Sequence, residues 1–348
     1  IAQLGAAEAL RFALTPHDQM KAELVALDET TERSQRALRE GRKRWKPRAK
    51  MRAVRDALHS SDEVAAQLLL PGDAAWPDAL DDLDTHAPVL LWVRGDARAL
   101  AITNRVALVG ARAASSYGDH VTRELAGDLA ATGSAVVSGG AYGIDAAAHR
   151  AALGVDGTTI AFLAGGVDRP YPIGHQQLFE RIREIGAVVS EVPCGTAPTK
   201  WRFLSRNRLI AALGVATVVV EAGWRSGSLN TAGHAAALGR PLGAVPGPVT
   251  SPAAAGCHRL MREYDARCVT DAAEVRELMG VVEQPVAAEL PADPEQTRLR
   301  DALSARTPRQ APDLAARAGL SVERVRAMLG LLSLEGGAVR TDSGWRRA

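Results

Sequence analysis

Short apolar runs alternate with helix-length stretches between about residues 104 and 275, and this alternation constrains the fold more than any other feature. Runs made almost entirely of Val, Ile, Leu and Ala are typical of strands buried on both faces. The predicted strands are Val106–Val109, Ala135–Val137, Thr159–Leu163, Ala187–Val189, Ala216–Val220 and Leu242–Val245. Stretches such as Tyr117–Ala131, Asp145–Leu153 and His175–Ile185 are long enough for crossover helices. The pattern predicts an α/β fold with a doubly wound, parallel, extended Rossmann-like sheet.

Further regions flank the predicted sheet domain, which we expect over residues 61–282. Residues 1–60 are rich in Ala, Leu, Glu and Arg and predict a helical N-terminal domain. The run Val89–Val93 predicts a strand that enters the sheet domain. Prolines and acidic residues in 283–294 predict a linker.

Residues 295–348 predict a small C-terminal domain of three helices and a Gly-rich hairpin. The helices are expected at Gln296–Leu303, Pro312–Ala318 and Val322–Leu334. This order is typical of a winged helix, which binds DNA in some proteins and other proteins elsewhere. The presumed recognition helix sets Arg324 and Arg326 against Glu323 and Glu335, so its basic face is weak, and both roles stay open.

The basic arm between Arg33 and Arg55 contains Glu40 as its only acid. This basic stretch can be a helical arm exposed to solvent, or it can make an auxiliary contact with a polyanion. The net charge of the chain, +2, does not choose between them, because binding depends on where charge clusters.

Composition predicts a soluble, cytoplasmic protein. Cys194, Cys257 and Cys268 form no CxxC pair and no metal-ligand spacing, which is typical of reduced thiols. No apolar run reaches the roughly 18 residues of a membrane span. We therefore expect no membrane association and no metal or other cofactor.

Four loops follow predicted strands and lead into predicted helices, namely residues 110–115, 138–145, 164–172 and 226–231. Loops at the carboxyl edge of an α/β sheet hold its ligand. Their glycines allow close approach of a ligand to the backbone, and Asp145 is expected to cap the next helix. Arg112, Arg202, Arg206 and Arg208 add positive charge, so the pattern favours an anion site over mere packing of helices on strands.

Other interpretations of these loops find weaker support. The second loop imitates the dinucleotide motif GxGxxG, but Ser138 replaces the first glycine. Asp145 and His149 lie four residues apart on one helix face, where they suit either a metal or ordinary helix packing. Glu221 is a candidate base or ribose contact, or a partner for Arg225. No nucleophile, base and orienting group come together in the sequence.

Several motifs resemble the DNA-processing protein A (DprA/Smf) family from about residue 70 to 278. They are Gly110-Ala111-Arg112, Ser138–Asp145 with Ala146-Ala147-Ala148-His149, Asp168-Arg169-Pro170-Tyr171-Pro172, Ser190-Glu191, Arg206–Ala211, Ser226-Gly227-Ser228 and Val245-Pro246-Gly247. The resemblance extends to a C-terminal winged helix and a helical N-terminal domain of the SAM or helix-hairpin-helix type, here shortened. In two places the chain departs from the family pattern: Tyr142 replaces a common Arg, and Leu204-Ser205 follows Phe203 where the family often has Pro.

The resemblance implies a single-stranded DNA-binding protein of natural transformation and homologous recombination. It implies that the protein holds incoming single strands, helps to load the RecA recombinase, forms a homodimer through the Rossmann domain and has no catalytic role. The implied DNA-binding residues are Gly110, Arg112, Ser138, Gly139, Gly140, Tyr142, Gly143, Arg202, Phe203, Arg206, Asn207, Arg208, Ser226, Gly227 and Ser228. Tyr142, Trp201 and Phe203 are candidates for base stacking.

A nucleotide-hydrolysing enzyme is the alternative function. Rossmann proteins that resemble the cytokinin-activating phosphoribohydrolases carry a PGGxGTxxE stretch. This chain has Glu221-Ala222-Gly223-Trp224-Arg225-Ser226-Gly227-Ser228 in the corresponding region. The sequence therefore favours DNA binding without catalysis.

Overall fold

The computed structural model describes residues 51–281, 294–334 and 336–348. The chain divides into two compact units, Ile1–Val282 and Glu283–Ala348. Most of the predicted N-terminal domain and basic arm, and nearly all of the predicted linker, lie outside the described residues.

Within residues 51–281 the strands form one nine-stranded sheet with the order β1-β2-β6-β5-β4-β3-β7-β8-β9. They are β1 (Gln67–Leu69), β2 (Leu91–Gly95), β3 (Arg105–Val109), β4 (Ala135–Ser138), β5 (Thr159–Phe162), β6 (Ala187–Ser190), β7 (Ala216–Val219), β8 (Leu242–Ala244) and β9 (Arg267–Cys268). Strands β3 to β9 are parallel, which confirms the predicted Rossmann-like sheet. β1 and β2 instead form an antiparallel edge beside β6, as is common in large α/β sheets.

Helices cover both faces of this sheet. They are α1 (Met51–Glu63), α2 (Ser116–Ala131), α3 (Ile144–Gly154), α4 (Gln176–Ile185), α5 (Lys200–Leu213), α6 (Ser228–Ala237), α7 (Ala255–Glu263) and α8 (Ala272–Leu278). Because side chains alternate along a strand, Val106 and Leu108 pack with α2, α3 and α8, whereas Ala107 and Val109 pack with α5, α6 and α7. Both faces of β3 are thus buried, which explains its uninterrupted apolar sequence.

Each of the six strands predicted from the apolar runs agrees with an observed strand to within one residue at each end. The predicted Val89–Val93 strand is displaced by two residues toward the C-terminus, as Leu91–Gly95. The expected boundary at residue 60 falls inside α1, and Val54 of that helix packs in the same core as Trp92 and Phe179. The sequence before residue 60 predicted a helix. It did not show that the helix packs on the sheet, because that depends on contacts with residues far away in the chain.

The smaller unit contains α9 (Pro294–Ala302), α10 (Ala311–Ala318), α11 (Val322–Leu334) and the antiparallel strands β10 (Ala338–Thr341) and β11 (Gly344–Arg347). Gly319 ends α10 in the left-handed conformation, with φ of 65°, and the Ser321 hydroxyl accepts a hydrogen bond from the Arg324 N–H at 3.2 Å. This arrangement confirms the predicted winged helix. No helix in residues 51–281 and 294–348 has both the length and the apolar character needed to cross a bilayer.

Candidate functional site

The chain changes direction across the sheet between β3 and β7. Strands β4, β5 and β6 lie in succession on one side of β3, whereas β7, β8 and β9 lie on its other side. Ligands of open α/β sheets bind at the carboxyl ends of the two strands that flank such a switch. The loops that leave β3 and β7, residues 110–115 and 220–227, meet at this point.

A pocket of about 410 Å³ opens at the switch point, and we call it the switch pocket. The loops after β3 and β7 and one side of α5 form most of its walls. Its lining comprises Val109, Gly110, Ala111, Arg112, Ala141, Asp145, Phe203, Leu204, Arg206, Asn207, Ile210, Gly223, Arg225, Ser226, Gly227, Ser228 and Thr231. Three arginines and a single carboxyl group line this pocket, so its charge favours an anion.

Arg112 stands at the exposed rim of the switch pocket. The central carbon of its guanidinium lies 5.0 Å from the centroid of the Phe203 ring. That ring lies 5.7 Å from the ring of Tyr171, which is half exposed. The rim therefore combines an accessible cation with aromatic faces.

Arg206 lies at the floor of the switch pocket and is 5% exposed. Its Nη1 donates a hydrogen bond to the Phe162 carbonyl oxygen at 2.6 Å, whereas its buried Nε has no hydrogen-bond partner. Burial lowers the pKa of Arg206 to about 10, an effect that Asp145 opposes and Arg112 increases. The guanidinium is therefore charged at neutral pH, with one N–H group still to be satisfied.

Asp145 is the carboxyl group of the switch pocket. Burial raises its pKa, while Arg206 exerts the largest opposing effect. Its Oδ2 accepts a hydrogen bond from the Ala141 N–H at 3.3 Å. Asp145 was predicted to cap α3, but Gly143 occupies the N-cap position and Asp145 lies in the first turn. The side chain instead stabilises the preceding loop.

Asn207 connects α5 to the turn before α6. Its Nδ2 donates to the Gly227 carbonyl oxygen at 3.4 Å and to Asn230 Oδ1 at 3.2 Å. The hydroxyl groups of Ser226 and Ser228 lie 2.8 Å apart across the same turn. The predicted residues of this turn therefore line the switch pocket together with Asn207, which fixes the position of its wall.

Arg208 and Arg202 do not line the switch pocket, contrary to the expectation that the arginines share one site. Arg208 donates to both carboxylate oxygens of Glu191, at 2.8 and 2.6 Å, and to the His86 carbonyl oxygen at 2.9 Å. The Arg202 guanidinium donates to the Ala197 carbonyl oxygen at 2.7 Å. Successive helical residues point about 100° apart, so a triplet such as 206–208 cannot face one pocket.

The predicted loop 138–143 supports the pocket more than it lines it. The Ser138 hydroxyl donates to the Leu108 carbonyl oxygen at 2.6 Å. The Gly139 carbonyl oxygen lies 2.6 Å from Nε2 of the buried His149, and the Gly140 carbonyl oxygen lies 3.0 Å from Nδ1 of the buried His175. These bonds hold consecutive carbonyl groups of the loop against the protein interior.

Glycine is needed at 139 and 140 because side chains occupy the space where a Cβ would lie. At Gly139 that space is filled by the guanidinium of Arg206 and the carboxyl group of Asp145, and at Gly140 by the Phe179 ring. Gly139 and Gly140 therefore matter because their lack of a side chain leaves room for Arg206, Asp145 and Phe179.

Tyr142 is 52% exposed and does not line the switch pocket. Its ring meets the His175 ring edge-on, with centroids 4.5 Å apart. A base that stacked on Tyr142 would therefore lie outside the pocket, beside its supporting loop.

Glu221 and His149 have structural partners that account for their positions. The Glu221 carboxylate accepts from the Ser115 N–H at 2.8 Å and from the Ser115 hydroxyl at 2.7 Å, at the start of α2. It does not pair with Arg225. The Nδ1 atom of His149 lies 2.6 Å from Thr159 Oγ1, so both ring nitrogens of His149 are within hydrogen-bond distance of protein atoms.

Three charged or polar residues of the pocket lining, Arg225, Asp145 and Thr231, were absent from the predicted set. Arg225 follows β7 in a loop, and from the sequence it was considered only as a partner for Glu221. Asp145 was interpreted as a cap, and Thr231 lies one turn into α6. A signal for Arg225 was available, since it precedes the Ser226-Gly227-Ser228 turn directly.

We expect Gly143→Ala to destabilise the larger unit by roughly 3 kcal/mol or more. Gly143 has φ of 76° and ψ of −129°, a conformation that L residues rarely adopt. An added Cβ would also overlap the carbonyl oxygens of Ala111 and Arg112, which are backbone atoms. Urea unfolding measures the loss, and we expect the Gly110–Arg112 loop to move.

Gly133→Ala is the matched control for this substitution. Gly133 also has a positive φ, 85°, but a Cβ there would meet no atom within 4 Å. Its cost should be about 1 kcal/mol, from backbone strain alone. Equal losses in the two variants would show that the contact with the Ala111 and Arg112 carbonyls is unimportant.

The fold and the switch pocket define a class: a Rossmann-like α/β protein with an arginine-lined pocket at its switch point and a winged-helix unit after it. Comparison with known proteins gives the family. The model of the DNA recombination-mediator protein A family matches residues 67–280, and that of the DprA winged helix domain matches residues 277–344. The chain belongs to the DNA recombination-mediator protein A family.

Similar proteins are known from several bacteria. The putative DNA processing protein DprA of Mycobacterium tuberculosis is 44% identical over 298 residues, covering 80% of this chain and 76% of that protein. The crystal structure of DNA processing protein A from Streptococcus pneumoniae is similar with a TM-score of 0.66 and 32% identity, over 78% of this chain and 95% of that one.

A second solved structure is the DNA processing protein A of Helicobacter pylori, described for the single-stranded DNA binding mode of that protein. It is similar with a TM-score of 0.56 and 29% identity, over 61% of this chain and 94% of that chain.

Proposed function

We propose that this protein holds single-stranded DNA in the switch pocket during homologous recombination and natural transformation. The observation that carries the proposal is the pairing of a buried arginine at the pocket floor with an exposed arginine at its rim. Arg206 presents an Nε without a hydrogen-bond partner, and Arg112 lies against Phe203 beside it. A phosphate that entered the pocket would give the charged guanidinium of Arg206 an anionic partner.

The shape of the pocket favours a single strand over a duplex. A phosphate must enter the pocket to approach the buried Arg206, which the flexible backbone of a single strand allows and the stiff backbone of a duplex does not. The rings of Phe203 and Tyr171 at the rim offer faces to unpaired bases, each stack being worth about 1–3 kcal/mol. The binding described for the Helicobacter pylori relative supports the same ligand class.

The other predicted residues have distinct parts in this proposal. Arg225, from the loop after β7, adds a third cation to the lining. Asn207 and the Ser226–Ser228 turn shape the wall, and the Ser138–Gly143 loop supports Arg206 from below. We place Arg202, Arg208 and Tyr142 outside the pocket, where Arg202 and Tyr142 can contact a strand that continues past it.

We further propose that the protein acts without a chemical step, as a homodimer joined through the Rossmann unit, and that it helps to load RecA on the strand it holds. Membership of a family named for recombination mediation supports this role. Sedimentation tests the dimer, and RecA filament growth on strands coated with single-strand binding protein tests the loading. Release of base from nucleoside monophosphates, lost in Glu221→Gln, would contradict the absence of chemistry.

Arg112→Ala tests the switch pocket directly. We expect single-stranded DNA affinity to fall by about tenfold, because a charge-assisted hydrogen bond to phosphate is lost. The slope of log K against log salt should become shallower by about 0.7, the value for one phosphate contact on a single strand. Fluorescence anisotropy with a labelled oligonucleotide, repeated over a salt series, measures both.

Arg181→Ala is the control for lost charge, since Arg181 is exposed on α4 and does not line the pocket. Its affinity and slope should match those of the unaltered protein. Unchanged binding in Arg112→Ala, or an equal loss in Arg181→Ala, would exclude the switch pocket as the DNA site.

A further inference from the structure

The smaller unit contains a cleft that we call the wing cleft. It has a volume of about 460 Å³ and lies between the start of α10, one side of α11 and the β10–β11 hairpin. Gln310 comes from the helix start, Arg326 from α11, and Arg340 and Trp345 from the hairpin. None of these residues belongs to the switch pocket or to the predicted DNA-binding set.

Arg326 and Arg340 give the wing cleft its positive charge. Both are exposed, and within the described residues neither has a hydrogen bond or an ion pair. The Arg340 guanidinium lies 5.9 Å from the centroid of the Trp345 ring. By contrast, Arg317 on α10 pairs with Asp313 at 3.1 Å. The cleft arginines therefore keep their charge available for a ligand.

One carboxyl group also lines the wing cleft. Asp342 lies at the hairpin turn, and within the described residues it forms no ion pair with Arg326 or Arg340. Two cations and one acid leave the cleft with a net positive charge.

Backbone bonds hold the hairpin rigidly against the start of α10. The Arg309 N–H donates to the Trp345 carbonyl oxygen at 2.9 Å, and the Trp345 N–H donates to the Arg309 carbonyl oxygen at 2.8 Å. The Gln310 side-chain amide donates to the Ser343 carbonyl oxygen at 3.1 Å. A Cβ at position 344 would lie only 2.5 Å from the Arg309 carbonyl oxygen, so glycine at this position allows the close approach. The cleft is thus formed before any ligand arrives.

We propose that the wing cleft binds the phosphate backbone of duplex DNA, independently of base sequence, as a second nucleic-acid site of this protein. Arg326 and Arg340 are exposed on a helix and on a two-stranded ribbon, which are elements that can approach the major groove of a duplex and so reach the phosphates along its edge. Arginines of different elements, with the Gln310 amide beside them, are groups that contact DNA phosphates. A duplex presents such phosphates at high density on both strands.

The test uses the full chain and the double variant R326A/R340A, titrated separately with duplex and single-stranded oligonucleotides over a salt series. Duplex affinity should fall by at least about tenfold. The slope of log K against log salt should become shallower by about 1.8, which is two phosphate contacts on duplex DNA. Single-strand affinity should not change, because the switch pocket is intact.

The control variant R298A/R306A removes the same charge from exposed positions of the same unit that do not line the cleft. It should bind duplex DNA like the unaltered protein, and R326K/R340K should keep most of the salt slope. Circular dichroism and thermal unfolding establish that each variant is folded.

Three results would overturn the proposal: no duplex binding by the unaltered protein, an unchanged duplex slope in R326A/R340A, or an equal loss in R298A/R306A. Loss of binding to a polyglutamate peptide in R326A/R340A with duplex binding unchanged would assign the cleft to an acidic protein partner instead. Arg112→Ala separates this proposal from the first, since it should leave the duplex slope intact.

Discussion

Arg206→Met is expected to destabilise the larger unit by about 2–3 kcal/mol, because the buried Asp145 carboxyl group loses a nearby cation and the Phe162 carbonyl oxygen loses a charged donor. Arg206 and Asp145 are both buried, and both occupy the space beside the missing side chain of Gly139. Arg206 lowers the pKa of Asp145 and Asp145 raises the pKa of Arg206, so each favours the charged form of the other, whereas burial has the opposite effect. Without Arg206, the Asp145 pKa would rise further, and Arg112 would remain as a cation that still lowers it.

A double-mutant cycle with Asp145→Asn isolates this interaction. We expect the double variant to be more stable than the sum of the single losses predicts, by about 1–3 kcal/mol. Urea unfolding of all four proteins gives the coupling energy. Additivity within about 0.5 kcal/mol would show that the two groups do not interact appreciably.

Arg105 provides the matched control for the cycle. It is also a buried arginine of the larger unit, 8% exposed, but carbonyl oxygens surround it. Its Nε donates to the Leu213 carbonyl oxygen at 2.8 Å and its Nη1 to the Leu100 carbonyl oxygen at 3.1 Å. Arg105→Met should destabilise the protein, and its effect should be additive with that of Asp145→Asn.

His149 is expected to make the larger unit lose stability as the pH falls from about 6.5 to 4. Burial lowers the pKa of His149 to about 4, with smaller effects from the nearby His175, Arg206 and Arg150. In the unfolded chain the pKa returns to about 6.5, so between these values the unfolded state binds a proton that the folded state excludes. Stability is therefore full above pH 6.5 and falls with decreasing pH, by about 2.5 kcal/mol at pH 4.5.

His149→Gln removes this titration while keeping a donor for the Gly139 carbonyl oxygen. The variant should be less stable at high pH, because the imidazole packing is lost, yet its stability should depend less on pH over the same window. Asp145 and His175 remain in both proteins, so the difference between the two pH profiles isolates His149. Parallel profiles from urea unfolding would show that His149 is protonated in the folded protein at the same pH as in the unfolded chain.

The strands were predictable because burial on both faces leaves a local mark on the sequence. The uninterrupted apolar run Val106–Val109 predicts a buried strand. Because ligands bind at the carboxyl ends of such strands, the loop that follows it, with Arg112, is predicted to belong to the site. The antiparallel edge of β1 and β2 was not predictable in the same way. Strand direction depends on which neighbour a strand pairs with, and the sequence around Leu91 carries no sign of β6.

The candidate site was predictable as a set of loops but not as a set of side-chain directions. Arg206 and Arg208 are two residues apart in one motif, yet one lies at the pocket floor and the other pairs with Glu191. Helical geometry shows that the two must diverge, but only the packing of α5 decides which one enters the pocket. Glu221 shows the same limit, since its partner Ser115 lies 106 positions away in the chain.

The bonds from His149 and His175 to the Gly139 and Gly140 carbonyl oxygens have a consequence for how fast a ligand can come and go. A glycine-rich loop in water samples many conformations, and a ligand that ordered it would lose that entropy on every encounter. Here the backbone is already in place, so association does not include the entropy cost of ordering this loop. In the proposed function, capture of a strand then needs no rearrangement of this loop, and the residence time depends on the breaking of individual phosphate contacts. Amide hydrogens of this loop should accordingly exchange at similar rates in the free and the bound protein.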